Sequence, residues 1–320
     1  MITGGAGFIG SHVTERIARD YPDARIVIVD KMTYAADIQN LAGVLDWRQR
    51  HLKVGDVCDF EFCLSVTKDA DCVIHLAAES HVDNSFGNSM QFTRSNTLGT
   101  HTLLEACRLN NVPRIVHVST DEVYGEIAEG YHTESSILNP TNPYSASKAA
   151  ADMVAMSYIR SFSLPLLIVR SNNVFGIRQF PEKIIPRFIL CGLRGEKMPL
   201  HGSGEHRRRF LAVEDFSEAI SMLVKSGAPH EIYNIGAEEE YATREIARMI
   251  CRELDLPFEG TVVFTPDRPF NDCRYAVNSD KLEAMGWKPR VYLSQALKGI
   301  VDWYREHQDR YVSVPTALSG

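Results

Sequence analysis

Short β-branched runs alternate with longer stretches of helical periodicity through the first two-thirds of the chain. Residues 26–30, 72–76 and 165–170 are apolar at most positions, and 114–119 at half of them. A strand covered by helices on both faces reads this way, whereas a strand with one wet face alternates. Between these runs the spacing predicts helices over 11–20, 97–109 and 145–161. Strands and helices in alternation predict an α/β fold, a Rossmann-type doubly wound parallel sheet. Only Met1, Ile2 and Thr3 precede the first glycines. The first strand is therefore either unusually short or entered part-way.

After Asn172 the pattern loosens, and Pro181, Pro186, Gly192, Gly195, Pro199, Gly202 and Gly204 punctuate it. Two units are expected: a dinucleotide-binding Rossmann domain over 1–171, and a smaller ligand-binding lobe mainly over 172–320. The second is expected to be discontinuous, with late segments returning to the main sheet. No internal repeat or low-complexity tract is present. With 44% hydrophobic and 23% charged residues, the 320-residue chain is neither disordered nor collagen-like. A formal charge of −7 argues against coating nucleic acid. No apolar run reaches the roughly 18 residues of a membrane span. The opening residues lack the basic and apolar regions of a secretion signal, so a cytoplasmic protein is expected. The seven cysteines are odd in number and none are spaced Cys-x-x-Cys. They read as reduced thiols, not as a disulfide framework or a metal site. His75, His81, His101, His117 and His132 also lack ligand spacing, so no metal is expected, and His117 reads as a core residue of its strand.

Gly4-Gly5-Ala6-Gly7-Phe8-Ile9-Gly10 forms a Gly-x-x-Gly-x-x-Gly turn opening a helix. Gly4 suits a tight turn, Gly7 a close approach by a pyrophosphate, and Gly10 close packing of helix on sheet. The helix start adds unpaired N–H groups and the positive end of a dipole. Asp30 ends the next strand, about twenty residues on, where an acid binds ribose hydroxyls and favours NAD over NADP. The alternative for Asp30 is a solvated strand end. Asp56 lies near the adenine or is simply a turn acid.

Thr120, Asp121 and Glu122 follow the run 114–119. In an open parallel sheet, ligands sit beyond the carboxyl ends of the strands. Tyr144 and Lys148, at i and i+4, share one helix face. An ammonium beside the phenol is expected to lower its pKa and prepare it as a base for alcohol oxidation. Alone, such a pair is common on helices. Together with the glycine turn and a Thr at a strand end it is far more specific.

These residues resemble an extended short-chain dehydrogenase/reductase. Ser119-Thr120-Asp121-Glu122-Val123-Tyr124-Gly125 narrows the resemblance to nucleotide-sugar 4,6-dehydratases. It continues in residues 75–85, Ser171-Asn172-Asn173, Phe180-Pro181-Glu182-Lys183, Tyr233-Asn234-Ile235-Gly236 and Asp267-Arg268-Pro269, and so spans nearly the whole chain. Related 4-epimerases usually lack the Asp-Glu pair. The resemblance implies a hydro-lyase acting in three steps. Tyr144 takes the proton of the sugar 4-hydroxyl while hydride passes from C4 to NAD. Thr120 hydrogen-bonds that oxygen, and Lys148 holds the nicotinamide ribose. Glu122 then removes the C5 proton and Asp121 protonates the departing C6 hydroxyl. Hydride returns to C6, giving a 4-keto-6-deoxy sugar. Two carboxyl groups in opposite protonation states are needed.

The resemblance also assigns binding residues. Phe8, Ile9, Lys31, Val57 and Ala77 join Gly4, Gly7, Gly10, Asp30, Asp56, Tyr144 and Lys148 around NAD. Ser80, Ser85, Asn172, Asn173, Glu182, Lys183, Pro199, His201, Arg208, Asn234 and Arg268 face a nucleotide-diphosphate sugar. Within the basic run His206-Arg207-Arg208-Arg209, Arg208 is expected on phosphate, with Arg207 and Arg209 at the surface. Asn84, His201 and Phe210 depart from bacterial dTDP-glucose enzymes, and 81–89 with 268–272 look closer to UDP-glucose enzymes, so both bases stay open. The helices over 97–109 and 145–161 imply a homodimer through a four-helix bundle; packing on the sheet is the other use of their apolar faces. A 4-epimerase or decarboxylase on this scaffold, or a non-catalytic NAD-binding module, are the competing functions.

Overall fold

A computed structural model describes residues 1–46, 49–267 and 270–312. Its main sheet contains seven parallel strands: β1 (Ile2–Thr3), β2 (Ile26–Asp30), β3 (Arg50–Val54), β4 (Val73–His75), β5 (Ile115–Thr120), β6 (Leu166–Ser171) and, from late in the chain, β10 (Ile232–Ile235). Their order is β10-β6-β5-β4-β1-β2-β3, the doubly wound arrangement. The four strand runs legible in the sequence are β2, β4, β5 and β6.

Alternation along the central strands explains their continuous hydrophobicity. Val116, Leu167 and Val169 face a core shared with the helices Phe8–Asp20 and Val213–Ser226. Ile115, Leu166 and Ile168 face the other way, onto helices Gly99–Leu109 and Pro143–Phe162. Both faces are dry, so neither needs a polar residue. A third core lies in the later part of the chain. It gathers Phe188, Ile189, Ile250, Leu297 and Tyr304 around β8 (Met198–His201) and β9 (Arg207–Ala212). There β9 is flanked by β7 (Asn173–Phe175) and β11 (Glu240–Ala242), while β8 pairs with β12 (Val262–Thr265). Among the described residues no helix is long and apolar enough to cross a membrane.

Three helix starts differ from the periodicity, the first of them at Phe8 rather than 11, inside the glycine turn. The helix carrying Tyr144 begins at Pro143 rather than 145, because Asn142 caps it: the Ser145 amide donates to Asn142 Oδ1 at 2.9 Å, and Pro143 supplies a preset first turn. Ahead of Gly99–Leu109, residues Thr93–Leu98 wind as a wider π-helical turn, which apolar spacing does not reveal.

The glycine turn is set by backbone crowding. A Cβ on Gly10 would lie 2.0 Å from the Gly4 carbonyl oxygen. Gly4 has φ +68°, and its Cβ would lie 2.8 Å from the Ala77 backbone. Gly7 is different: a Cβ there would meet only the Gly4 oxygen, at 3.4 Å. We therefore expect Gly10→Ala to lose about 1–3 kcal/mol or more in urea unfolding, and Gly7→Ala to stay within about 0.5 kcal/mol of the parent. Equal losses would contradict this account.

Candidate active site

The sheet grows outward from β1 in both directions, and a cleft of about 440 Å³ opens over the strand ends at that switch point. Gly4, Gly7, Phe8, Ile9, Gly10, Asp30, Lys31, Asp56, Val57 and Ala77 line one end. Asp30 is buried at the end of β2; its Oδ2 accepts from the Ala6 amide at 3.0 Å and its Oδ1 from the Met32 amide at 2.8 Å. Burial raises its pKa, and those amides oppose the rise. Lys31 Nζ pairs with Asp56 Oδ2 at 2.7 Å. No protein atom demands glycine at residue 7, yet its open side faces the cleft. With an acid at the end of β2 and a helix start beside it, this end fits a dinucleotide.

At the centre stands the end of β5. The Thr120 hydroxyl accepts from the Glu122 amide at 3.3 Å and donates to Asp121 Oδ1 at 3.2 Å. Asp121 Oδ2 accepts from Asn172 Nδ2 at 2.6 Å. Burial, and then the charge of Glu122, push Asp121 up to about 7. Burial also raises Glu122, against Arg208, Lys183 and a hydrogen bond from Asn142. The two acids thus sit side by side, with Asp121 turned into the protein and Glu122 in the cleft wall.

Tyr144 and Lys148 also line the cleft, with the Tyr144 hydroxyl in hydrogen-bonding reach of Thr120. The expected lowering of the phenol is reversed: burial first and Glu122 second hold Tyr144 above the usual tyrosine range, and a Thr120 hydrogen bond only partly offsets them. Lys148 Nζ donates to the Val118 carbonyl at 2.7 Å, and burial brings it down to about 8. Behind it, Asp152 is fully buried between Arg170 Nε at 2.8 Å and His117 Nε2 at 3.2 Å. His117 is thus a core residue beside a carboxylate.

At the far end, alternation along β9 sorts the arginines. Arg208 enters the cleft, over the Tyr275 ring at 4.6 Å and within 3.3 Å of Asn271 Oδ1. Arg207 and Arg209 turn to the opposite face, onto Glu240. Arg209 is not the surface residue expected: its side chain is 11% exposed and donates to the Ala237 carbonyl at 2.6 Å. Ser80, Asn172, Asn173, Glu182, Lys183, Pro199 and His201 line the same end, with Lys183 Nζ on the Ser80 carbonyl at 2.6 Å.

Three expected residues lie behind the cleft wall. Asp121 bonds inward as described. Ser85 gives its hydroxyl to the Val82 carbonyl at 2.6 Å. Asn234 Oδ1 accepts from Tyr124 at 2.9 Å and its amide donates to Glu134, so it braces β10 against the Tyr124 turn. Arg268 lies outside the described residues. Conversely, Asn142, Asp272 and Tyr275 line the cleft without having been singled out. Tyr275 and Thr141 both donate to Asp272 Oδ2, and Asp272 Oδ1 makes no hydrogen bond among the described residues. The Asn-Pro-Tyr start of the helix pointed to Asn142; nothing local marks the other two.

Comparison with known proteins adds to this geometry. A family model described as GDP-mannose 4,6 dehydratase matches residues 1–300. Over 325 residues the chain is 43% identical to a trifunctional UDP-glucose 4,6-dehydratase/UDP-4-keto-6-deoxy-D-glucose 3,5-epimerase/UDP-4-keto-L-rhamnose-reductase of Arabidopsis thaliana. That match covers 99% of this chain and 48% of the plant protein, so the chain spans about half the length of these plant relatives. Against a dTDP-D-glucose 4,6-dehydratase of Homo sapiens the identity is 39%, covering 99% and 93%. A crystal structure of dTDP-glucose 4,6-dehydratase from Streptomyces venezuelae with NAD and TYD bound superposes with a TM-score of 0.95 at 38% identity, covering 98% and 99%.

The raised Asp121 has a measurable consequence. It binds its proton more tightly folded than unfolded, so its stabilising contribution is full below about pH 4 and is lost as pH rises through about 7. Asp121→Asn mimics the protonated form. Its urea midpoint should therefore gain on the wild type between about pH 4 and pH 7 and hold that gain above it. A difference independent of pH would mean that Asp121 is ionised throughout.

Proposed function

The chain belongs to the GDP-mannose 4,6 dehydratase family, and from that premise we propose that it is a nucleotide-sugar 4,6-dehydratase. It converts dTDP-glucose or UDP-glucose to the 4-keto-6-deoxy sugar, with NAD as a retained coenzyme. One observation carries the reading: Glu122 shares the wall of a cleft that suits a dinucleotide with Tyr144 and Lys148, and a second buried acid of raised pKa, Asp121, lies directly behind it. Removing water from C5 and C6 needs one carboxyl group holding a proton and one without it. Oxidation or epimerisation at C4 alone needs neither. The named activities of the plant, human and Streptomyces relatives support the same assignment.

NAD, when bound, supplies the hydride acceptor for C4 and the donor for C6. Gly4, Gly7 and Gly10 would hold its pyrophosphate, Asp30 its adenine ribose, and Lys148 its second ribose. Tyr144 is placed to take the proton of the 4-hydroxyl, with Thr120 hydrogen-bonding the same oxygen. The raised phenol makes phenolate scarce at neutral pH and strongly basic where it forms. The Thr120 hydrogen bond is the contact that opposes that rise. A ketone at C4 then acidifies C5–H. Glu122, in the cleft wall, takes that proton, and the electron pair expels the C6 hydroxyl as Asp121 delivers its proton to it. Residues 1–171 carry the coenzyme side in this reading. The lobe beyond contributes Arg208 and Lys183 to the diphosphate and His201 to the nucleotide-sugar end.

We extend the proposal to the assembly and its location. Leu98, Met153 and Phe162 leave 49%, 58% and 52% of their surface exposed on or beside the helices Gly99–Leu109 and Pro143–Phe162. Pairing of these faces between two copies would make a four-helix bundle in a cytoplasmic homodimer, and sedimentation velocity would show a monomer if it does not form.

The direct test incubates the purified protein with dTDP-glucose, UDP-glucose or GDP-mannose, without added NAD, and follows product mass. Loss of one water with the nucleotide intact is expected from one of the first two. Glu122→Gln should slow that loss by roughly 10²–10⁴-fold. An isobaric product, or none from any donor, would overturn the reading.

A further inference from the structure

The turn Gln308–Tyr311, at the end of the later lobe, is joined to the glycine turn by an unbroken chain of hydrogen bonds. Arg310 Nη2 donates to Asp37 Oδ2 at 2.7 Å and also to Asn40 Oδ1, and Arg310 Nε reaches the same Asp37 oxygen at 3.1 Å. Asp37 is already committed through its other oxygen, which accepts from the Gln39 amide at 2.8 Å and caps the short helix Ile38–Leu41. From there the chain converges on Ala6, the residue just ahead of Gly7. The Ala6 carbonyl accepts from the Asp37 amide at 3.1 Å and from Asn40 Nδ2 at 3.0 Å. Its amide is the one that donates to Asp30 Oδ2. One guanidinium therefore grips both residues that grip the turn, and the turn in turn orients the ribose acid.

The arginine is itself held. Its side chain is 7% exposed and lies over the Trp303 ring at 5.4 Å. The neighbouring Tyr311 carbonyl accepts from Arg194 Nη2 at 2.6 Å. Two acceptors reached by one planar fork call for arginine rather than lysine. Arg310, Asp37 and Asn40 all lie outside the cleft wall, so any effect of this clamp on a ligand passes through the backbone, by way of Ala6 or of Ala36 next to Asp37. A reaction in which hydride leaves and returns on one coenzyme gains from slow release of that coenzyme, and a rigid pyrophosphate turn supplies it.

We propose that Arg310 is a positioning residue for coenzyme retention: by clamping Asp37 and Asn40 it fixes the Ala6 turn and Asp30 in their NAD-binding geometry. This rests on the reading of the cleft as an NAD site. The experiment compares wild type, Arg310→Ala and Arg310→Lys for NAD content after purification, for the rate of NAD release into a trapping excess of a competing NAD-binding enzyme, and for thermal midpoint. Release from Arg310→Ala should be about tenfold faster, as expected for losing charge-assisted bonds. Its activity without added NAD should fall and recover at saturating NAD. Arg310→Lys, which keeps the charge and loses the fork, should fall between, and it carries the comparison if the alanine variant does not fold. A lower thermal midpoint with release unchanged would overturn the proposal, since a mere brace would do that. A wild type that neither contains nor binds NAD would overturn the functional reading and the proposal together. Binding by the wild type with equally slow release from the variants would overturn the proposal alone.

Discussion

Burial of charge at the carboxyl end of the parallel sheet is the constraint on which the site depends. Two acids there are shut away from water to the same degree and meet opposite fates. Asp152 lies between Arg170 and His117, and with Lys148 these outweigh burial and hold its carboxyl below the usual range. Asp121 faces Glu122 and a neutral Asn172, so burial prevails and lifts its carboxyl to about 7. An unpaired buried carboxylate is costly, and the protein meets that cost in one place by pairing and in the other by protonation. The first solution supports a lysine that must be charged. The second leaves a carboxyl able to hold a proton directly beside Glu122.

Each solution draws on several strands at once, which is what the doubly wound order supplies. Thr120 and Asp121 come at the end of β5, Asn172 just beyond β6, and Asn142 from the start of a helix whose cap also reaches Glu122. None of these groups could move alone. The Asn142 cap shows the economy of the arrangement: the same side chain closes the helix N-terminus, places Tyr144 in the first turn and donates to Glu122. The acids, the tyrosine and the lysine are therefore positioned by rigid elements rather than by loops, as a site with tight geometric demands requires.

Much of this was legible in the sequence, for local reasons. Parallel strands buried on both faces are continuous apolar runs, so β2, β4, β5 and β6 stood out to within a residue or so at each end. The glycine turn, Asp30, Thr120, Tyr144 and Lys148 were legible because their spacing follows from the strand–turn–helix units that carry them. Illegible features depend on which way a side chain turns or on distant contacts. The resemblance alone separated Arg208 from Arg207 and Arg209; the alternation of β9 that turns Arg208 into the cleft and Arg209 onto Glu240 is not marked in that run. Ser85, Asn234 and Asp121 bond inward, which no pattern marks. The contacts of Tyr34 with Glu182 and of Arg310 with Asp37 join residues 148 and 273 positions apart. The inverted pKa of Tyr144 likewise reflects burial beside Glu122, a three-dimensional fact that the Tyr-x-x-x-Lys spacing does not contain.

The central claim is that Glu122 and Asp121 act on C5 and C6 after C4 is oxidised. Tracing hydrogen tests this most directly. Nucleotide-glucose deuterated at both C4 and C5 would be turned over in ordinary water and the product examined by NMR. The account predicts that the C4 deuterium reappears at C6 and that C5 carries hydrogen from solvent. Deuterium retained at C4 would contradict it, because the sugar would then have returned unchanged or inverted without any elimination.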